Sequence, residues 1–281
     1  VIDSHGARVT QAPLDRPGPG SIAWRVNGER VSVLGWGRAI LLQLAHPLVA
    51  AGVASHSGFR SSPWSTVGRF HATLRAMLAL TFGTDDDARA TVARIRGVHD
   101  GVRGGLGSGT ARHPAGTPYS AHDPSLLAWV NLTLLDAMPL AYGRLVAPIS
   151  DDDLGRYARE SRWSAELIGA SPGDLPLSAD DVRNDVERWL IGGELEVTDE
   201  ARQVARAVVT PRGGWMAGPF AKLHERLSIG WLPPAIREAY GFGWSPDDAR
   251  ALERWEARLR SWSRHAPRAA RRWRAARRAG G

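Results

Sequence analysis

With nine histidines and no cysteine, any metal chemistry of this 281-residue chain must rest on imidazole, carboxylate or a cofactor. Between Thr91 and Arg103, the residues Val92, Ile95, His99 and Val102 recur at spacings of three, four and three. That is the period of one helix face, so the His99 imidazole is predicted to point inward. An inward, neutral imidazole suits axial ligation of iron, and it equally describes a core histidine bonded to a backbone carbonyl. Arg103, one helical turn on, is predicted on nearly the same face, where its guanidinium would meet a haem propionate through two parallel hydrogen bonds. Arg69 and Thr73 are also four apart, which puts a cation and a hydroxyl side by side. Such a pair can stabilise bound O₂ or an anion derived from it. A surface ion pair for Arg69 and a back-bonded helical hydroxyl for Thr73 are the plainer alternatives. His46 precedes Pro47, which forfeits a helix hydrogen bond, so a bend is predicted there, with His46 structural or lining the pocket. His71 falls on a different face from Arg69 and Thr73. His113, His224 and His265 lie in a loop, beside polar residues and in a basic tail, and carry no signal.

The elements that must position these groups are helices. Period-2 alternation is hard to find over strand lengths, whereas helix starts are frequent. Asp123-Pro124 is an N-cap with proline at N1, Ser178 and Asp181 form a capping box with Asp in place of Glu, and Ser245-Pro246-Asp247-Asp248 repeats the signal. Helices are predicted over 36–56, 67–82, 85–103, 124–146, 151–168, 179–191, 198–209, 220–228, 233–240 and 245–264, with loops at 57–65, 104–121, 169–177 and 212–219. The fold class expected is all-α. No internal repeat or long linker divides the chain, so residues 21–264 read as one helical domain between an N-terminal extension (1–20) and a flexible basic tail (265–281).

Composition narrows the function. Without cysteine there are no disulfides, Cys zinc sites, iron–sulfur clusters, thiolate-ligated haem or c-type attachment. The net charge of +7 belongs to the tail: residues 250–281 hold 11 Arg and 2 Glu, and the rest of the chain carries 25 basic against 27 acidic groups. A solvated helix end is the expectation for that run, and specific nucleic-acid binding is not expected, although the tail suits contact with anionic surfaces. The apolar stretch Ala39–Ala54 contains Gln43, His46 and Pro47 and is shorter than a bilayer span, so it reads as a buried helix. Residues 1–20 show no apolar signal region, and a cytoplasmic location is the expectation. A nucleophile elbow, a phosphate-binding glycine loop, a dinucleotide fingerprint, a second histidine after His224-Glu225 and paired Glu-x-x-His motifs are all absent.

In order along the chain stand Leu42-Gln43-Leu44-Ala45-His46-Pro47-Leu48-Val49-Ala50-Ala51-Gly52-Val53-Ala54-Ser55-His56-Ser57, Arg69-x-x-x-Thr73, Thr81-Phe82-Gly83, His99-x-x-x-Arg103, Tyr119-x-Ala121-x-Asp123-Pro124 and Trp129-Val130. This series resembles the oxygenase family that contains latex clearing protein and the MpaB-type enzyme of mycophenolic acid biosynthesis. The resemblance runs from about Trp24 to Gly169, with a weaker helical continuation to about Tyr240. It implies a globin-like core and a non-covalent b-type haem with His99 as proximal ligand and metal-binding residue. It further implies support from Arg103, with Arg69 and Thr73 on the distal side as catalytic groups that polarise O₂. His46 and His56 belong to the resemblance, and His46 is taken as cofactor-binding. Two positions depart from it: Ala72 where rubber-cleaving members carry Lys, and Asn131 where many members carry His. The implied function is a haem-b-dependent oxygenase using O₂ on an apolar, alkene-containing small molecule such as a terpenoid. Trp36, Phe59, Trp64 and Trp129 read as pocket walls, and core filling explains the tryptophans equally well. A non-catalytic haem sensor or carrier, a peroxidase-like enzyme and a helical interaction protein are the rival readings, and the oligomeric state is not encoded in these motifs.

Overall fold

A computed structural model describes residues 13–56, 63–210 and 219–278. Its organising element is helix α6 (Pro124–Leu145), started by Asp123, whose Oδ1 accepts from the N–H groups of Ser125 (2.9 Å) and Leu126 (3.2 Å). Numbering the helices in chain order, α6 packs against the 3₁₀ turn Arg30–Gly35, α2 (Trp36–Leu44), α7 (Asp151–Ile168), α8 (Ala179–Ile191) and α12 (Pro246–His265). It is long and apolar enough to cross a bilayer, but most of its apolar length is buried against those neighbours. Trp129, Leu132, Leu135, Met138 and Tyr142 place it in the main core with Ile22, Leu41, Leu44, Val204 and Tyr240. The all-α expectation holds, with one two-stranded exception among the described residues.

The predicted single helix over 36–56 is two helices. Pro47 has no N–H and its ring clashes with the preceding turn, so α2 ends at Leu44 and α3 (Pro47–His56) leaves with a bend of 108°. The carbonyls around the break find partners elsewhere: Ala45 O accepts from Glu196 N–H (2.9 Å), and Leu41 O from the Tyr240 hydroxyl (2.7 Å). Gly37 lets α2 lie hard against α10 (Pro219–Gly230), since a Cβ there would fall 1.9 Å from Ser228 Oγ. Arg38, buried in the same helix, gives Nε to Asp136 Oδ2 (2.7 Å) and Nη1 to Trp231 O.

Helix α4 (Pro63–Phe82) turns through Gly83-Thr84 into α5 (Asp85–Asp100), with Thr84 and Asp87 forming a capping box. Helix α5 stops three residues short of the predicted end. Gly101 closes it through N–H to Val98 O, and Arg103–Gly105 (β1) then pairs antiparallel with Pro118–Ser120 (β2), Arg103 opposite Ser120. The predicted loop 104–121 thus holds a small hairpin. The loop 212–219 lies almost wholly outside the described residues.

The C-terminal segment is not a loose tail. Helices α13 (Arg268–Arg271) and α14 (Arg274–Arg278) return to α1 (Ile22–Gly28): Trp273 N–H donates to Gly28 O (3.0 Å), and Arg271 and Arg272 reach the buried Glu29 at 3.3 and 3.7 Å. Ala276 is buried with Trp24 and Phe82, and Arg30 lies over the Trp273 ring. The apolar residues of the arginine run, Trp273, Ala275 and Ala276, pack in one cluster with Trp24 and Phe82. Trp273→Ala is therefore expected to cost about 2 kcal/mol in urea unfolding, below the roughly 3–5 kcal/mol of a fully buried aromatic because the ring is only partly covered. A freely solvated tail would show no change.

Candidate functional site

Arg69 and Thr73 stand one turn apart on α4 and His99 stands near the C-terminal end of α5, Arg69 and His99 each fifteen residues along the chain from Thr84. Near the turn the pair is buried: Phe82 packs with Trp24, Met77 and Leu78, and α5 buries Ala88, Thr91 and Val92. Farther from the turn cover is lost. Gly68, Arg69, His71, Ala72 and Thr73 are exposed, Val98 is 63% exposed, and Phe70 leans on Trp36 at 5.5 Å. Val98 next to His99 on α5, and Arg69 with Thr73 on α4, thus leave apolar surface, a cation and a hydroxyl open on these two helices.

His99 is half-buried, and its Nδ1 is buried without a hydrogen-bond partner. Its ring meets His122 edge to face at 5.8 Å, and His122 Nε2 is 2.7 Å from Asp100 Oδ1. Burial, then His122 and Arg96, lower the His99 pKa below its usual value against the opposing pull of Asp100. The ring is therefore neutral at pH 7, with a lone pair available to a metal. Although Arg69 as a residue is exposed, partial desolvation of its guanidinium draws its pKa down, and it stays cationic.

Other predicted residues are placed differently. Arg103 follows the helix end and is exposed on β1, so the one-turn relation to His99 does not exist; Gly101, Gly104 and Gly105 were the stop signals in the sequence. His46 is 3% exposed and surrounded by His113 (5.5 Å between rings) and Trp189 (5.6 Å), with Nδ1 accepting from Leu48 N–H at 3.3 Å. Burial first, then His113, push its pKa down to about 4. Trp129 is a core residue against Trp189 (4.8 Å), while Phe59 and the side chain of Trp64 lie outside the described residues. His56 caps its own helix, Nδ1 to Gly52 O at 3.2 Å. His122 and His113 were given no role by sequence reasoning. His122 occupies a variable place in the Tyr119–Pro124 motif, and nothing linear ties His113 to His46.

The profile of the family described as ER-bound oxygenase mpaB/B'/Rubber oxygenase, catalytic domain, matches residues 24–277. The chain belongs to this family. The match extends the resemblance seen in the motifs through the docked C-terminal helices, and it gives this mpaB/rubber-oxygenase-type domain an oxygenase role among the oxidoreductases. No curated protein and no solved structure matches the chain.

His46, His99 and His224 all have lowered pKa values with burial as the first cause. As pH falls below about 6.5 the unfolded chain takes up these protons first, so stability is lost from there down to the folded-state values. The urea midpoint is expected to be level between pH 7 and 8 and to fall progressively from pH 6.5 to pH 4.5. A midpoint that rose over that interval would contradict neutral burial of these rings.

Proposed function

We propose that this oxygenase domain binds haem b through His99 and uses O₂ on an apolar, alkene-containing small molecule. The observation that carries the reading is the neutral His99 imidazole with its unpartnered, buried Nδ1 near the C-terminal end of α5. A buried nitrogen without a partner calls for one, and a neutral imidazole beside uncovered apolar surface suits a flat apolar macrocycle. Haem supplies the iron centre at which O₂ is activated.

This chain's own residues bind, orient and donate. His99 would hold the iron through a ring nitrogen, with the Asp100–His122 pair beside it to fix the ring's edge. Arg69 and Thr73, one turn apart on α4, would offer a cation and a hydroxyl donor for O₂. Arg103, exposed on β1, serves as a rim cation for a propionate rather than as a helical neighbour of His99. Ala72 leaves the α4 surface between Arg69 and Thr73 without a second cation, in keeping with a small apolar substrate. His46 has no part in the haem reading, since its neighbours are His113 and Trp189.

The test is an absorption spectrum of the purified protein with a pyridine haemochrome assay. A haem-b Soret band is expected in the parent, largely lost in His99→Ala and retained in Arg103→Ala with weaker binding. Protein that stays colourless after incubation with haemin would refute the assignment. Arg69→Ala is expected to keep haem while lowering O₂ consumption on a terpenoid alkene by about 100-fold. Unchanged consumption would remove Arg69 from the oxygen side, and no consumption by the parent with any alkene would favour a carrier.

A further inference from the structure

We propose that His46, His113 and Glu194 form a separate site for a divalent transition cation of the Zn²⁺ class, which ties together three segments distant in sequence. The site is independent of the haem reading. One ligand atom from each residue lies within 4.8 Å of the others, and His113 Nε2 is 3.5 Å from Glu194 Oε2. That His113 nitrogen is buried and has no hydrogen-bond partner, although a carboxylate stands beside it. Two imidazole nitrogens and one carboxylate oxygen are a donor set for zinc and its first-row neighbours, leaving a fourth position for water.

The geometry needs little adjustment. Bonds of about 2.1 Å in a tetrahedral site put ligand atoms about 3.4 Å apart, which His113 and Glu194 already satisfy, and the remaining contraction is at most about 1.4 Å. His46 is fixed by the Pro47 break and the Trp189 ring, whereas His113 and Glu194 sit on surface segments able to close on it. Those segments are held in place from outside. Arg112 Nη1 donates to Glu194 Oε1 (2.9 Å) and Nη2 to Gly192 O (2.6 Å), which leaves Oε2 facing His113. Ala111 N–H donates to Glu196 Oε2 (2.9 Å), and Glu196 N–H to Ala45 O, beside His46. Gly193, at φ 78°, supplies the left-handed residue that turns Glu194 back toward the protein. Oriented carboxylates of this kind are the outer support of metal sites.

Two features set a moderate affinity. The Arg112 guanidinium offsets the charge of Glu194. Ligation through His46 Nε2 moves the imidazole proton to Nδ1, which gives up the long contact from Leu48 N–H. The cation acts as a clamp between the α2/α3 break, the loop carrying His113 and the segment after α8.

The full-length protein, stripped with chelator, is titrated with Zn²⁺ and with Co²⁺. One equivalent of bound metal per chain is expected at saturation, with the visible absorption of tetrahedral Co²⁺ and a rise in unfolding midpoint of about 5 °C at saturating Zn²⁺. His113→Ala and the near-isosteric Glu194→Gln should each abolish both signals while keeping the parent's midpoint in chelator. His99→Ala, which tests the haem ligand, should keep them. Failure to hold one equivalent, equal binding by the His113 and Glu194 variants, or loss of the signals in His99→Ala would overturn the proposal.

Discussion

The absence of one N–H, at Pro47, governs how the rest of this chain is arranged. An apolar stretch that would otherwise run on as a single buried helix must break, and the two halves separate by 108°. The break leaves the Ala45 carbonyl without a helical partner, and Glu196 N–H is drawn in from a remote part of the sequence to satisfy it, while the Tyr240 hydroxyl adds a bond to Leu41 O beside the Ala45 N–H it already accepts. The redirected α3 then packs against α9 (Asp199–Val209) and the β2 strand, with Gly52 admitting Val102 and Tyr119 close to its backbone. His46 sits at the corner because it is the residue before the proline. Its burial, its neutral charge and its company of His113 and Trp189 all follow from that position.

The α4/α5 pair uses the opposite device, a cover that ends partway. Its turn end is closed by Trp24, Phe82 and the returning C-terminal helices, which hold it against the core. Farther from the turn, Arg69 and Thr73 on α4 are exposed and His99 on α5 is half-buried. A ligand site gains from this division, since anchoring fixes the donors while missing cover leaves room and apolar surface for an occupant. The same C-terminal helices explain why the family match runs to residue 277. They belong to the folded domain, although their composition is that of a solvated tail.

Charge is used inside this protein as much as outside it. Arg38 spans Asp136 and the Trp231 carbonyl, and Arg271 and Arg272 accompany a Glu29 so buried that its pKa rises despite them. Desolvation wins over attraction at Glu29, so these contacts fix where the chain's end docks more than they add stability. The net charge of +7 is thus a poor guide to partners, because several of the arginines that produce it are occupied within the fold.

What the sequence by itself determined is local and periodic. The capping residues Asp123, Ser178 and Ser245 start helices where the sequence places them, because a cap acts within three residues of itself. The inward face of α5, the bend at Pro47 and the family membership were legible for the same reason, as short-range patterns in fixed order. The tertiary structure decided what depended on distance in sequence. Arg103 left the helical face because the three glycines around it outweighed its spacing from His99. The arginine tail docked because Trp273 and Ala276 found Trp24 and Phe82, contacts that no composition count records. The grouping of His46 with His113 and Glu194 came from two loops meeting over a broken helix, and only packing can bring such residues together.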